Sequence, residues 1–284
     1  MRLPMVAIAM GAVLVTAAQR ATALEEWQLI QPSPMPAPRI SDYATVNGIE
    51  MYYAIFGKGE PILLIPIGMA ASEMWAGVIP ALARHHLVIA ADTRGHGRST
   101  RTSAAYTYNL LAADYLALLD HLGIRKVALV GASDGAIIGL EIAIHHPERL
   151  SKLFAQGANA TPDALYADAA DPTASKAAAR LWEAQYRKLS KTPAEYDAFH
   201  KTMKQMWDSE PNYSAAQLSG IRVPTAIVIC DRDEWIKPQH AQYLARTIPG
   251  ARTIVLHDVS HYAALQDPEA YAAAVLQFLD GSGN

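Results

Sequence analysis

Residues 126–146 read KVALV-GASDG-AIIGLEIAIHH, and this stretch decides the fold. The first five residues are typical of a buried strand, and the last eleven have the apolar spacing of a helix. The pattern G-x-S-x-G between them, in a strand–turn–helix context, indicates a nucleophile elbow. Such a turn projects its serine hydroxyl above the sheet, and Gly131 and Gly135 avoid a collision of side chains there. Ser133 is the candidate nucleophile. The alternative interpretation is that Ser133 is an ordinary serine in a tight turn between a strand and a helix.

The rest of the chain alternates the same two patterns. Short apolar runs predict buried strands, runs with helical spacing predict covering helices, and Asn47-Gly48 between two strand-like runs predicts a hairpin. This alternation predicts an α/β fold with a mostly parallel central sheet flanked by helices. The predicted strands are 61–66, 86–91, 126–130, 225–230 and 253–256, with the hairpin at 43–55 and further helices at 110–122 and 268–279.

One region breaks the alternation. Residues 161–219 contain no buried-strand run and are rich in alanine. Proline punctuates the region, and Pro193 stands where a helix would begin. We expect an all-helical cap of two to four helices here, inserted into a core formed by residues 40–160 and 220–281.

A serine hydroxyl needs a base that an acid holds in place. Asp233 follows the predicted strand that ends at residue 230, and His261 follows the strand that ends at residue 256. The carboxyl ends of parallel strands gather at one crevice of an open α/β sheet, so these side chains can meet the serine. Asp231 and Glu234 compete for the role of the acid, and His257 competes for the role of the base.

The first residues of the chain indicate a targeting segment rather than a part of the fold. Residues 1–4 carry one positive charge, residues 6–18 form an apolar run of 13 residues, and small residues at 21–23 precede a cleavage point. This is the pattern of a secretory signal peptide. The run is short for a bilayer span, although an uncleaved anchor is the alternative. Residues 24–39 form a proline-rich leader. We expect an exported protein, periplasmic or secreted, with no stable membrane insertion after cleavage.

Composition excludes several other classes. The chain has 284 residues and a formal net charge of −3, without any block of basic residues, so a nucleic-acid partner is not expected. Cys230 is the single cysteine, which excludes an intrachain disulfide framework and a cysteine-rich zinc site. No metal or organic cofactor is implied. Cys230 is expected to be a small buried apolar residue at a strand end.

Taken together, four segments resemble those of the α/β-hydrolase fold family, over residues 40–280. The chain is similar to the serine esterases and lactonases of that family that carry a helical cap. Asp92–Ser99 resembles the family's D-x-R-G-x-G-x-S turn, and GASDG its nucleophile elbow. CDRDE (230–234) resembles the acid loop and SHYAALQDP (260–268) the segment of the histidine. The resemblance implies a triad of Ser133, Asp233 and His261.

One departure concerns the oxyanion hole. Where the family has His-Gly, this chain has Ile67-Gly68-Met69. The resemblance implies that the backbone N–H groups of Met69 and Asp134 stabilise the oxyanion. The loss of the histidine side chain leaves a backbone donor available but changes the shape of this loop.

Large apolar residues on the predicted cap, and around residue 68, suggest an apolar pocket, although such a stripe can also simply pack on the core. The candidate substrate-binding residues are Gly68, Met69, Trp75, Trp182, Tyr186, Met203, Met206 and Trp207.

The predicted partner is therefore a small-molecule ester or lactone, bulky and apolar, with a macrolide-type macrolactone as one candidate. Other activities that use the same triad stay open: amidase or aminopeptidase, carbon–carbon hydrolase and perhydrolase. A non-catalytic ligand-binding protein and a cofactor-free oxygenase are further alternatives. Dehalogenase and epoxide hydrolase are disfavoured, because those relatives have aspartate where this chain has Ser133.

Overall fold

The computed structural model describes residues 29–167 and 172–281. The predicted signal peptide and the first residues of the leader lie outside the described residues. From Leu29 to Pro38 the chain forms neither helix nor strand, and the fold begins at Ile40. Among the described helices, none is both long and apolar enough to cross a membrane.

A single eight-stranded sheet forms the centre of the described structure, in the order β1-β2-β4-β3-β5-β6-β7-β8. Strands β1, β2 and β4 pair in antiparallel fashion, and every pair from β4 to β8 is parallel. The sheet therefore matches the predicted α/β fold. The strands are β1 Ile40–Val46, β2 Ile49–Gly57, β3 Glu60–Ile65, β4 His86–Ala91, β5 Val127–Ala132, β6 Leu150–Gln156, β7 Thr225–Cys230 and β8 Arg252–Leu256.

The antiparallel edge begins with the predicted hairpin. Val46 pairs with Ile49 across a two-residue turn, in which Asn47 has a φ of 45° and Gly48 a φ of 77°. Positive φ at both central positions is what a two-residue turn between right-twisted strands requires. The hairpin therefore fixes the register of β1 on β2.

Strand β6 is absent from the sequence prediction. Near its start Ser151 is exposed and Lys152 is half-buried, and Gln156 at its end is polar but buried. Only the four residues from Leu153 are continuously buried. The apolar run is too short to stand out from its surroundings, because tertiary packing and not local pattern makes this strand.

Helices cover the sheet and one group of them stands apart. Helix α3 packs on β5, β6 and α2, so the elbow serine begins a helix in the middle of the molecule. The helices are α1 Ile79–Leu82, α2 Tyr108–His121, α3 Asp134–His145, α4 Pro172–Leu189, α5 Tyr196–Trp207, α6 Ala215–Gly220, α7 Pro238–Thr247, α8 Ala263–Gln266 and α9 Pro268–Asp280.

Helices α4, α5 and α6 lie between β6 and β7. Helix α5 buries Phe199, Met203 and Met206, which share one face, and exposes charged residues on the other. The Phe199 ring lies edge-on to His96, with 4.8 Å between the ring centroids, and near Tyr106. These contacts anchor the helical insertion to the loop that follows β4.

Strand β8 forms the parallel edge of the sheet and is poorly covered. Within the described residues it pairs only with β7. Leu256, its last residue, is the one buried position of the strand. Val255 is 43% exposed. The segment that carries His261 follows this edge strand directly.

Candidate active site

Ser133 sits on a strained turn between β5 and α3. Its φ is 51° and its ψ is −116°, a conformation that residues other than glycine rarely adopt. A Cβ at Gly131 would lie 2.3 Å from the backbone of Gly135, and one at Gly135 would lie 2.1 Å from the carbonyl oxygen of Ile65. The two glycines are therefore required by close backbone contacts. The Ser133 N–H donates to the carbonyl of Gln156 at 2.8 Å, which fixes the turn on β6.

Asp233 and His261 form a buried pair. His261 Nδ1 lies 3.1 Å from Asp233 Oδ1 and 3.0 Å from Oδ2. Asp233 Oδ1 also accepts the backbone N–H groups of Trp235 and Ile236, each at 2.9 Å. These bonds aim the carboxylate at the imidazole. They leave the other ring nitrogen, Nε2, as the one that can serve as a base.

Gly157 makes space for this pair. It follows β6 with a φ of 63°, and a Cβ there would lie 2.8 Å from His261 Cε1 and 3.1 Å from Nδ1. A side chain at this position would push the imidazole away from the carboxylate.

Three acidic side chains act on the pKa of His261. Burial lowers this pKa, but the Asp233 carboxylate, followed by Glu234 and Asp134, outweighs burial and leaves the pKa raised. The pair is nearly inaccessible to solvent, with side-chain exposures of 4% for His261 and 6% for Asp233. The protonated form of the His261 imidazole is therefore stabilised inside the protein.

Glu234 connects His261 with the helical insertion. Its Oε2 accepts the backbone N–H of His261 at 3.0 Å, and its Oε1 accepts the hydroxyl of Ser175 on α4 at 3.1 Å. Glu234 is 1% exposed, and burial raises its pKa. The sequence prediction considered Glu234 only as a competing acid, whereas the structure places it on the backbone of His261.

Asp134, directly after Ser133, holds a second link to the insertion. Both its carboxylate oxygens lie within 3.1 Å of Trp207 Nε1 on α5, and Tyr108 donates its hydroxyl to Oδ1 at 2.8 Å. Burial raises the pKa of Asp134, and the two donors oppose that effect. A Cβ at Gly68 would lie 2.4 Å from Asp134 Oδ2 and 2.7 Å from the Trp207 ring, so this contact needs a glycine.

Met69 follows Gly68 in a left-handed conformation, with a φ of 69°. Asp134 begins helix α3, where backbone N–H groups lack partners within the helix. Both residues line the same cavity as Ser133. The two backbone N–H groups that the sequence nominates for the oxyanion hole thus belong to loops that border the serine.

The cavity above Ser133 has a volume of about 290 Å³. Four of the predicted substrate-binding residues line it: Gly68, Met69, Trp182 and Trp207. Further lining residues that the prediction did not include are Ile67, Tyr108, Asn159, Leu165, Ser175, Ala179, Tyr196, His200, Glu210, Trp235, Ile236 and Tyr262.

The other four predicted substrate-binding residues lie in the core and not in the cavity wall. Trp75 is fully buried and packs on Tyr271, with 5.6 Å between the ring centroids. Tyr186 stacks on Phe199 at 5.3 Å, while Met203 and Met206 occupy the buried face of α5. Tyr186, Met203 and Met206 therefore hold the insertion on the rest of the protein. They fit the alternative in which the apolar stripe packs on the core.

Two competing candidates from the sequence pair with each other instead. His257 Nδ1 lies 3.2 Å from Asp231 Oδ2, and the His257 side chain is 76% exposed. Neither residue lines the cavity.

Cys230 is buried, receives a weak contact from Gln156 at 3.6 Å, and has a pKa that burial raises well above that of a free thiol. It therefore lacks the thiolate character that a nucleophile needs.

The turn after β4 supports the loops around the site. Asp92 is fully buried and accepts the N–H and hydroxyl of Ser72 at 2.8 and 2.7 Å and the N–H of Arg98 at 2.8 Å. Arg94 forms a bidentate pair with Asp114, with both distances 2.6 Å. These hydrogen bonds and this ion pair account for the spacing of polar residues in the turn.

Comparison with known proteins agrees with this fold and this geometry. The family model described as alpha/beta hydrolase fold matches residues 60–195. RutD from Pseudomonas savastanoi pv. phaseolicola, which is named as a putative carbamate hydrolase, is 30% identical over 250 residues, or 78% of this chain and 94% of the relative. The chain therefore belongs to the α/β-hydrolase fold family.

Two lactonases are also similar. The 3-oxoadipate enol-lactonase 2 of Acinetobacter baylyi is 26% identical over 264 residues, or 85% of this chain and 97% of the relative. The crystal structure of the enol-lactonase from Burkholderia xenovorans LB400 superposes with a TM-score of 0.68 at 26% identity. The superposition covers 84% of this chain and 99% of that structure.

Proposed function

We propose that the protein is a serine hydrolase that cleaves a carboxylic ester or a lactone through an acyl-enzyme on Ser133. One observation carries the proposal: Ser133 and His261 line one cavity, and Asp233 holds His261 Nδ1 at 3.0 Å. This arrangement of nucleophile, base and acid is the one that acyl transfer requires. The similarity to lactonases at 26% identity supports the choice of ester or lactone.

The first half-reaction forms the acyl-enzyme. Ser133 Oγ attacks the carbonyl carbon while His261 Nε2 accepts the hydroxyl proton, and the carbonyl π electrons move to oxygen. The N–H groups of Met69 and Asp134 donate to that oxyanion. The intermediate then collapses, the bond to the leaving oxygen breaks, and His261 returns the proton to the leaving alcohol.

The second half-reaction consumes one water molecule. His261 takes a proton from the water, whose oxygen attacks the acyl carbon, and the same oxyanion donors act again. Collapse releases the carboxylic acid and returns the proton to Ser133 Oγ. Asp233 stays ionised throughout and stabilises the imidazolium in both halves.

The cavity supports a bulky and largely apolar substrate. Trp182, Trp207 and Trp235 contribute indole rings to its wall, and Ile67 and Met69 contribute aliphatic surface. Burial of an apolar acyl or alcohol group against such surface favours binding by about 25 cal/mol for each Å² removed from water. A macrolactone is one member of this class and belongs in the substrate panel.

The test is turnover of a substrate panel by the purified protein and by Ser133→Ala. The panel contains p-nitrophenyl esters of rising acyl length, simple lactones, macrolactones, an amide and a carbamate, because RutD is named for carbamates. We expect a lactone to yield a ring-opened product heavier by one water, and a p-nitrophenyl ester to yield p-nitrophenol and a carboxylic acid. Both should be seen with the wild type and with Ser219→Ala, which changes an exposed serine on α6. Ser133→Ala should be inactive and should resist labelling by a fluorophosphonate.

Absence of both turnover and labelling in the wild type would contradict the proposal. If ligands then raised the melting temperature of the wild type and of Ser133→Ala equally, the non-catalytic binding protein would be the better interpretation. Hydrolysis of the amide or the carbamate, with the esters and lactones left intact, would keep Ser133 as the nucleophile but change the proposed substrate class.

A further inference from the structure

Two acidic side chains line the cavity above Ser133. Asp134 and Glu210 both line it, and Glu210 Oε2 accepts the backbone N–H of Tyr108 at 2.9 Å. Among the described lining residues there is no lysine and no arginine. The histidines among these lining residues are His200, which is exposed, and His261.

Two more carboxylates stand directly behind the wall. Asp233 lies 3.0 Å from His261 Nδ1, and Glu234 lies 3.0 Å from the His261 backbone nitrogen. Both are buried, so solvent screens them weakly. Protonated His261 offsets one of these negative charges. The acidic side chains in and directly behind the wall therefore outnumber His261.

The arginines of the neighbouring turn cannot supply a positive charge to the cavity. Arg94 is bound to Asp114, Arg98 to Asp92 and Glu73, and Arg101 to Glu195. Each guanidinium thus has an acidic partner, and none of the three lines the cavity.

We propose, on the basis of the function proposed above, that this site selects uncharged substrates and discriminates against an ester or lactone that carries a carboxylate near the reacting carbonyl. An anion that enters the cavity loses hydration, meets Asp134 and Glu210, and finds no guanidinium or ammonium partner among the described lining residues. An uncharged group of the same size meets the indole rings of Trp182, Trp207 and Trp235, which favour apolar contact.

Three p-nitrophenyl esters with the same acyl length test the selectivity. The acyl chain ends in a methyl ester, in a free carboxylate or in a trimethylammonium group. We expect kcat/KM for the methyl ester to exceed that for the carboxylate by at least about tenfold, since like charges in a desolvated site repel. The cationic ester controls for size and polarity and should not be penalised. Equal or faster hydrolysis of the carboxylate would overturn the inference.

Two amide substitutions assign the effect to the acidic side chains. Glu210→Gln and Asp134→Asn should each raise the ratio of kcat/KM for the carboxylate to that for the methyl ester, and the double variant should raise it most. The ratio within one variant cancels any general loss of activity. Glu183→Gln is the matched control, because Glu183 is an exposed acid on α4 that pairs with Arg187 outside the cavity. An unchanged ratio in the double variant would contradict the inference.

Binding measurements keep this inference separable from the proposed function. If no ester is hydrolysed, calorimetry with Ser133→Ala compares a non-hydrolysable ketone analogue that ends in a methyl ester with one that ends in a carboxylate. Tighter binding of the uncharged analogue would support the charge selectivity even though the hydrolase proposal had failed. Tighter binding of the carboxylate analogue would overturn the charge selectivity. If that preference were lost in His200→Ala, His200 would be the residue that binds the carboxylate.

Discussion

Glu234 holds His261 by its backbone, while Asp233 holds the same residue by its imidazole. The Glu234 carboxylate accepts the His261 N–H at 3.0 Å and the Ser175 hydroxyl at 3.1 Å. One buried acid thus joins the candidate base to helix α4 of the insertion. Asp134 makes the corresponding link from the elbow to α5 through Trp207. Each of these acids directly follows a member of the candidate triad in the sequence.

Glu234→Gln should move the acidic limb of the pH profile. The Glu234 carboxylate favours the imidazolium and so raises the pKa of His261. Removing its charge lowers that pKa. Because the proposed reaction begins with neutral imidazole, the acidic limb of kcat/KM should shift to lower pH. Asp233 and Asp134 still raise the pKa of His261 in this variant, so the shift should be partial. The measurement is kcat/KM against pH with a p-nitrophenyl ester.

Ser175→Ala is the control for that shift. It removes the hydrogen bond from α4 but leaves the charge of Glu234 in place. The acidic limb should stay where it is in the wild type. A limb that moves equally in both variants would show that Glu234 acts through the insertion and not through its charge.

Asp233→Asn should lower kcat by about 10⁴-fold, because an amide at His261 Nδ1 favours the wrong tautomer for a base at Nε2. The fold should survive, since an asparagine oxygen still accepts the N–H groups of Trp235 and Ile236. Steady-state kinetics and thermal melting measure the two effects. Asp231→Asn, at the acid that pairs with exposed His257, should retain activity. Similar losses in both variants would assign the wrong acid.

Gly68→Ala should reduce kcat by about 10²-fold, the effect of disturbing one oxyanion donor. The new Cβ would stand 2.4 Å from Asp134 Oδ2 and 2.7 Å from Trp207, so the loop before Met69 must move. Gly220→Ala is the matched control, because nothing lies within 4 Å of a Cβ at that position. Retained kcat in Gly68→Ala would indicate that the oxyanion donors lie elsewhere.

Arg94→Met should destabilise the protein by about 3–5 kcal/mol, because it leaves the fully buried Asp114 carboxylate without its cationic partner. Urea unfolding measures the change in the free energy of unfolding. Lys204→Ala breaks an exposed pair with Asp208 and should stay within about 0.5 kcal/mol of the wild type. Equal effects of the two substitutions would contradict the assigned role of burial.

The sequence predicts the sheet where apolar runs are continuous, and it misses β6 where they are not. Strands β3, β4, β5, β7 and β8 appear in it as largely uninterrupted apolar runs. Ser151 and Lys152 interrupt the pattern at the start of β6. The strand exists because β5 and β7 bind it on both sides. This information lies in tertiary contacts and not in local order.

The candidate site likewise contains residues that a local sequence pattern indicates and residues that only tertiary contacts define. Ser133, Asp233 and His261 are candidates in the sequence because each follows a strand end closely, and the structure brings them to one cavity and one hydrogen-bonded pair. Met203 and Met206 are candidates for the cavity wall in the sequence but lie in the core. The sequence of an apolar helix face does not indicate whether the core or a cavity lies against it. Glu210, Asn159 and Gly157 carry no local signal, because their roles come from chain segments that meet only in the folded protein.

The edge position of β8 has a consequence for heat inactivation. His261 follows the strand that pairs on one side only, whereas Ser133 follows the central strand β5. Sheet edges open locally at lower free energy than central strands do. Warming should therefore separate the base from the nucleophile while most of the sheet is intact, so that hydrolysis stops at a lower temperature than the loss of circular dichroism, and cooling restores it.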